Sequence, residues 1–240
     1  LLALTGPNGS GKTTLARSIL GILKPDAHGR IRLEGNQVAT TLKNRTRDQV
    51  KALQIVFQNP DSALNRSHTV KRMIGRTIER LTALAASART ARVLELTRSV
   101  RLADRYLNMR PRQLSGGLKQ RVAFAGDPRV LVLDEPTSAL DVSVQAAILN
   151  LLVELQNTRQ VSYIFISHDL GVVRYLSDRI AVFYLGRILE IGPAEAVFSG
   201  PHHPYTEALL SSVPAVDGRM SERVKLSGEI PSAMNPPQGC

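Results

Sequence analysis

The sequence predicts an α/β fold: a mainly parallel sheet with helices, an inserted α-helical subdomain and a C-terminal extension. Three observations carry this. Short apolar runs of strand length alternate with stretches of helical periodicity, the pattern of β–α–β units. The runs VLVL (130–133) and YIFI (163–166) are apolar without alternation, as strands buried on both faces of a parallel sheet are. The segment from Val70 to about Leu107 keeps helical spacing throughout, with no strand inside it.

Taken in order, Leu1–Thr5 reads as an apolar strand that runs into GPNGSGKT at residues 6–13. A helix is expected over Lys12–Leu23, stopping before Lys24-Pro25, then a short strand over Arg30–Leu33 closed by Gly35. Gln54–Phe57 is a further strand, followed by Gln58 and then Asn59-Pro60. The helical segment places Ile74, Ile78, Leu81 and Leu84, then Val93, Leu96 and Val100, at one-face spacing, which marks a separate lobe. Val130–Leu133 is a strand, Val144–Gln156 a helix, and Tyr163–Ile166 and Ile180–Tyr184 are strands. Pro and Gly rise from Gly192, where a C-terminal extension is expected.

The 240 residues and 43% hydrophobic content suffice for one large α/β domain with small appendages. The single cysteine, Cys240, excludes an internal disulfide framework and suits a reducing compartment. No apolar run approaches the roughly 18 residues that span a bilayer, and no signal peptide is visible. Leu1 already lies inside the first strand, so the N-terminus is expected to be trimmed. The net charge of +11 has two readings, nucleic-acid binding or a solvated arginine-rich surface. Its arginines are scattered (Arg72, Arg76, Arg80, Arg89, Arg92, Arg98, Arg101, Arg105) and no aromatic stripe is interleaved. The surface reading is favoured, and no nucleic-acid partner is expected.

The segment 6–13 fits the phosphate-binding pattern GxxxxGK[ST]. Gly6, Gly9 and Gly11 let the backbone wrap a phosphate, with Asn8, Ser10 and Thr14 in the same cradle. Lys12 supplies a point charge to the β- and γ-phosphates, and Thr13 offers a hydroxyl to Mg²⁺. Asp134 ends a buried strand, where α/β sheets bind ligands, and its carboxylate suits Mg²⁺ with its water shell. Glu135 then stands to polarise an attacking water. Ser115, Gly116 and Gly117 open a helix and offer free N–H groups to an anion.

Together the phosphate loop, Gln58, LSGG, LVLDE, SALD and His168 resemble the nucleotide-binding subunit of an ATP-binding cassette (ABC) transporter, over nearly the whole chain. The tail segments HHPYTEALLSSVP and LSGEIPSAMNPPQGC are similar to the oligopeptide, dipeptide and nickel importer branch. The resemblance implies a RecA-like P-loop core over residues 1–58 and 119–191. It also implies a helical signature subdomain over 59–118 and an importer-type extension over 192–240. It implies ATP and Mg²⁺ as ligands, Glu135 as catalytic carboxylate, and His168 as the switch residue sensing the γ-phosphate. Gln58 would be the glutamine reaching Mg²⁺ or the water. Ser115, Gly116, Gly117 and Asp141 would complete the nucleotide site of a second cassette, which is identical, homologous or fused.

Transmembrane permease subunits would dock on the helical lobe from about Asn59 to Leu84. A solute-binding protein acts indirectly, and the subunit sits at the cytoplasmic face of the membrane. Two other classes remain open at this point: a cassette that binds ATP with little hydrolysis, and a soluble ABC ATPase outside transport.

Three departures from the family pattern stand out. Leu118 replaces the glutamine that usually ends LSGGQ. Ala125 runs straight into Gly126-Asp127-Pro128, about four residues short, roughly one helical turn or 6 Å; a true deletion and missing residues both fit. The adenine-stacking aromatic of the family would lie upstream of Leu1. Cys240 is either an inert terminal thiol or the first of several cysteines in a longer parent chain holding an iron–sulfur cluster. One thiolate cannot hold a [4Fe–4S] cluster, which takes about four sulfur ligands.

Overall fold

Apolar Leu2–Thr5 forms the first strand, β1, with Ala3, Leu4 and Thr5 buried. The computed structural model describes residues 1–26, 28–212 and 231. The expectations for Cys240 and the last tail segment lie outside them. After β1 come α1 (Lys12–Ile19), β2 (Ile31–Leu33), β3 (Asn36–Val38), α2 (Arg47–Ala52), β4 (Leu53–Val56) and α3 (Pro60–Ala63). Next are α4 (Val70–Leu81), α5 (Ala86–Ser99), α6 (Gly116–Phe124), β5 (Val130–Asp134) and α7 (Val142–Arg159). The elements β6 (Ser162–Ile166), α8 (Leu170–Leu176), β7 (Arg179–Tyr184), β8 (Arg187–Pro193), α9 (Ala194–Ser199) and α10 (Pro204–Ser211) follow. The chain divides into two units, Leu1–Leu15 with Ile164–Cys240, and Ala16–Tyr163.

In the first unit β1 lies between two parallel neighbours, with Leu4 opposite Ile166 of β6 and Ala181 of β7. Buried Ala3, Val173, Ile180, Val182 and Val197 form its core, with Phe198, Tyr205 and Leu209 packed against them. The helices α8, α9 and α10 therefore supply apolar cover to β1 and β7. The start of the expected extension is thus part of this core. The sequence reading missed β8, which pairs antiparallel with β7. Its residues show no buried run, and Ile188 and Ile191 are 47% and 50% exposed. An edge strand carrying Arg187, Glu190 and Pro193 has little of the periodicity that marks a buried one.

In the second unit β4 and β5 run parallel, from Leu53 opposite Val130 to Val56 opposite Leu133. The Ser162 amide donates to the Arg129 carbonyl at 2.8 Å, so β6 begins beside the residue that leads into β5. The segment expected to be helical forms α4 and α5, with Ile74, Ile78, Val93 and Leu96 buried, inside the unit Ala16–Tyr163. Leu84, expected on a helix face, instead lies in the link between them and is exposed. The first helix stops at Ile19, short of Leu23. Gly21, at φ of 73°, turns the chain out of the helix, and Arg45 caps the end: its guanidinium donates to the Ile19 carbonyl at 2.6 Å and to the Ala39 carbonyl at 2.9 Å.

The short connection from α6 to β5 is tied down by charge. Asp127 accepts from Lys51 of α2 at 2.9 Å and from Arg92 of α5 at 2.6 Å, with Arg159 of α7 at 3.9 Å. Burial alone would raise the Asp127 carboxyl, but Lys51 and Arg92 more than offset it and hold the group below its ordinary range. A lowered carboxyl contributes stability that is full above the unfolded value and lost as pH falls through the folded one. Asp127→Ala should therefore cost about 1–2 kcal/mol near neutral pH, between an exposed and a buried pair. The loss should shrink as pH drops below about 4. Urea melts of both chains across pH check this; equal stability at pH 7 would contradict it.

Candidate functional site

In the first unit, the parallel neighbours β1 and β6 deliver Gly6 and His168 at the same end of the sheet. Gly6 takes φ of 139°, and a Cβ there would lie 2.1 Å from the Phe183 carbonyl oxygen, so no side chain fits. The loop then closes on itself, with the Ser10 amide donating to Pro7 O and the Gly186 amide to Ser10 O. Lys12 is only 6% exposed. Its ammonium donates to Gly6 O at 2.9 Å, Pro7 O at 2.8 Å and Ser10 Oγ at 3.3 Å. The result is a backbone cradle built around a buried cation, suited to a phosphate.

Asn8 and Gly9 are exposed at the loop tip, and Thr13 and Thr14 sit in the first turn of α1. His168 is exposed. Beside it, Asp169 caps α8 by accepting from the Gly171 and Val172 amides at 2.9 and 3.2 Å.

In the second unit, the parallel pair β4 and β5 brings together three of the expected residues. Asp134 ends β5 and is 8% exposed. Glu135 follows with φ of 47°, a strained conformation for a side chain of this size and one that gathers at functional sites. The Gln58 amide, just beyond β4, donates to Glu135 Oε2 at 3.0 Å and to Ser138 Oγ at 3.2 Å. Gln58 thus fixes one carboxylate oxygen of Glu135.

The signature segment lies in this unit as well. Ser115 caps α6 by accepting from the Leu118 amide at 3.4 Å. A Cβ on Gly117 would meet Val144 Cγ1 at 2.6 Å, so glycine lets α6 and α7 approach closely. Asp141 caps α7, accepting from the Val144 amide at 2.9 Å and the Ser143 hydroxyl at 2.7 Å. Those two bonds hold its carboxyl below the ordinary range.

Two contacts in the second unit escaped the sequence reading. Gln120, 1% exposed, donates to the Pro136 carbonyl at 2.6 Å and so ties α6 to the turn carrying Glu135. Lys119 pairs with Asp61 of α3 at 2.8 Å. Their signal was LKQR directly after LSGG. Gln120 stands three residues beyond Gly117, on the same helix face.

In the second unit the Gln58 amide oxygen and the Asp134 carboxylate are hard oxygen donors of the kind Mg²⁺ takes, and in the first unit the Thr13 hydroxyl is another. The buried Lys12 and the glycine cradle fit a nucleotide phosphate tail.

Comparison with known proteins gives two family matches. Residues 1–138 match the model described as ABC transporter, and residues 189–240 match the oligopeptide/dipeptide transporter C-terminal region. A probable peptide ABC transporter ATP-binding protein, y4tS of Sinorhizobium fredii, is 43% identical over 244 positions, covering 100% of this chain and 69% of that protein. The di/tripeptide transport ATP-binding protein DppF of Pseudomonas aeruginosa is 41% identical over 244 positions, covering 100% and 75%. Both alignments are longer than the 240 residues here, so relatives carry residues opposite gaps in this chain. Among solved structures, the ATP-binding cassette MJ0796, in a dimeric post-hydrolysis state bound to ADP and Pi, superposes with a TM-score of 0.67 at 27% identity. That match covers 81% of this chain and 85% of the other.

Proposed function

The chain belongs to the ABC transporter family, and from that premise we propose that it binds and hydrolyses ATP to power an importer of oligopeptides or dipeptides. The observation that carries the hydrolytic reading is the Gln58–Glu135 hydrogen bond beneath a strained Glu135 backbone. The peptide class is supported by the tail match over residues 189–240 and by relatives that align along the full chain.

Each residue then has a part. The N–H groups of Gly9, Ser10, Gly11 and Lys12, with the Lys12 ammonium, hold the β- and γ-phosphates; Gly6 and Asn8 shape the loop and Thr14 extends it. Mg²⁺, when bound, neutralises phosphate charge and is served by Thr13, Asp134 and Gln58. Glu135 orients the attacking water and draws its proton, and His168 contacts the γ-phosphate. Ser115, Gly116, Gly117 and Asp141 serve a second cassette, so ATP becomes part of the dimer contact and its loss reopens it.

No helix among the described residues is long and apolar enough to cross a membrane. Attachment to the cytoplasmic face of the membrane is therefore assigned to permease subunits. The receiving groove is a cleft of about 530 Å³ lined by Leu64, His68, Met73, Arg76 and Thr77, with Ala125 at the end of α6. Cysteines placed at Met73 and Arg76 should cross-link to a cytoplasmic loop of the permease in the assembled transporter. Cross-linking confined to some other face would refute this assignment.

A further inference from the structure

A second cleft, about 770 Å³, is lined by Asp61 of α3, Arg66, Ser67, Arg110, Arg112 and Lys119 of α6. Asp61 is neutralised by Lys119 at 2.8 Å. The guanidiniums of Arg66, Arg110 and Arg112 have no ion-pair partner among the described residues. Elsewhere in the lobe Arg89 pairs with Glu79, Arg92 with Glu95 and Arg98 with Asp104, while Arg72, Arg76, Arg80 and Arg105 have no ion-pair partner among the described residues. What sets Arg66, Arg110 and Arg112 apart is that all three line one cleft, where the only carboxylate among the described lining residues, Asp61, is already taken by Lys119.

Tight turns present them. Asn65 Oδ1 accepts from the Ser67 amide at 2.9 Å, while Gln113 Oε1 accepts from the Arg110 amide at 2.9 Å, beside buried Pro111. The arginine backbones are therefore held in place before any ligand arrives. Like charges converging in a concavity focus a positive potential, and the guanidinium fork matches phosphate oxygens in pairs. Among the described residues that line the cleft none is aromatic or aliphatic, so these offer neither a base nor an acyl chain a face to pack on.

We infer that this cleft binds a small phosphate-dense anion, one carrying at least two adjacent phosphates. Arg66, Arg110 and Arg112 are its ligands, and the Ser67 hydroxyl is an added donor. The site shares no residue with the phosphate loop.

Calorimetric titration of inorganic pyrophosphate into the Lys12→Ala chain tests this, because the loop site is then disabled. Should that variant fold poorly by circular dichroism, wild type saturated with a non-hydrolysable ATP analogue replaces it. One site per chain is expected. Affinity should fall at least about tenfold in an Arg66→Gln/Arg112→Gln variant, as loss of charge-assisted bonds requires. Sulfate should bind distinctly more weakly than pyrophosphate. Parallel ATP titrations of Lys12→Ala with and without Arg66→Gln/Arg112→Gln separate the sources: ATP binding lost only with the arginines assigns the cleft to a nucleotide tail, and ATP binding that is absent, or that persists without the arginines, leaves the cleft to free pyrophosphate. No pyrophosphate binding, an affinity unchanged in the double variant, equal binding of sulfate, or preference for a glutamate-rich peptide would each overturn the inference.

Discussion

Lys12→Ala should lower ATP affinity by at least about a hundredfold, close to 2.7 kcal/mol, which one or two lost charge-assisted hydrogen bonds supply. Lys12 is 6% exposed and its ammonium is already held by Gly6 O, Pro7 O and Ser10 Oγ, so it enters the complex ordered. Little side-chain entropy remains to be lost when phosphate oxygens arrive, and most of the attraction appears as affinity. The same contacts close the loop, so the substitution also loosens it. A melting curve beside the calorimetric titration separates the two effects. A folded variant with unchanged ATP affinity would remove Lys12 from the site.

Glu135→Gln should slow turnover by at least about a hundredfold while ATP stays bound, since an amide cannot take the proton of the attacking water. The side chain keeps its shape, and Gln58 can donate to the new amide oxygen as it does to Oε2. Asp134 is untouched, so the proposed Mg²⁺ ligands persist. ATP that is bound and not consumed should hold two cassettes together, so the variant should run as a dimer in size-exclusion chromatography with ATP. A variant that stays monomeric with ATP bound would contradict the role given to nucleotide in that contact.

The strands that carry the site were legible because burial on both faces leaves unbroken apolar runs. VLVL became β5, and YIFI became β6 extended by Ser162. The strand before Gln58 read one residue late, as Gln54–Phe57 against the observed Leu53–Val56, because Leu53 directly abuts the end of α2. The helix after SALD runs from Val142 to Arg159, longer than read, since its N-cap Asp141 lies ahead of any apolar periodicity. The contacts of Gln120 with Pro136, of Asp127 with Arg92 and of Arg45 with Ile19 were not legible. Each joins residues that are distant in sequence, and a lone polar residue does not announce a distant carbonyl or charge. Asp127 in particular reads as a loop residue before proline, yet it holds three elements of the second unit.

Phosphate release in a single turnover, from the assembled transporter loaded with ATP and Mg²⁺, tests the hydrolytic role most directly. Wild type should release phosphate stoichiometrically with the ATP bound. Glu135→Gln should retain its ATP and release phosphate at least about a hundredfold more slowly. Equal release from both chains would show that Glu135 is not the catalytic carboxylate, and a wild type that retains its ATP unhydrolysed would show a cassette that binds nucleotide without turning it over.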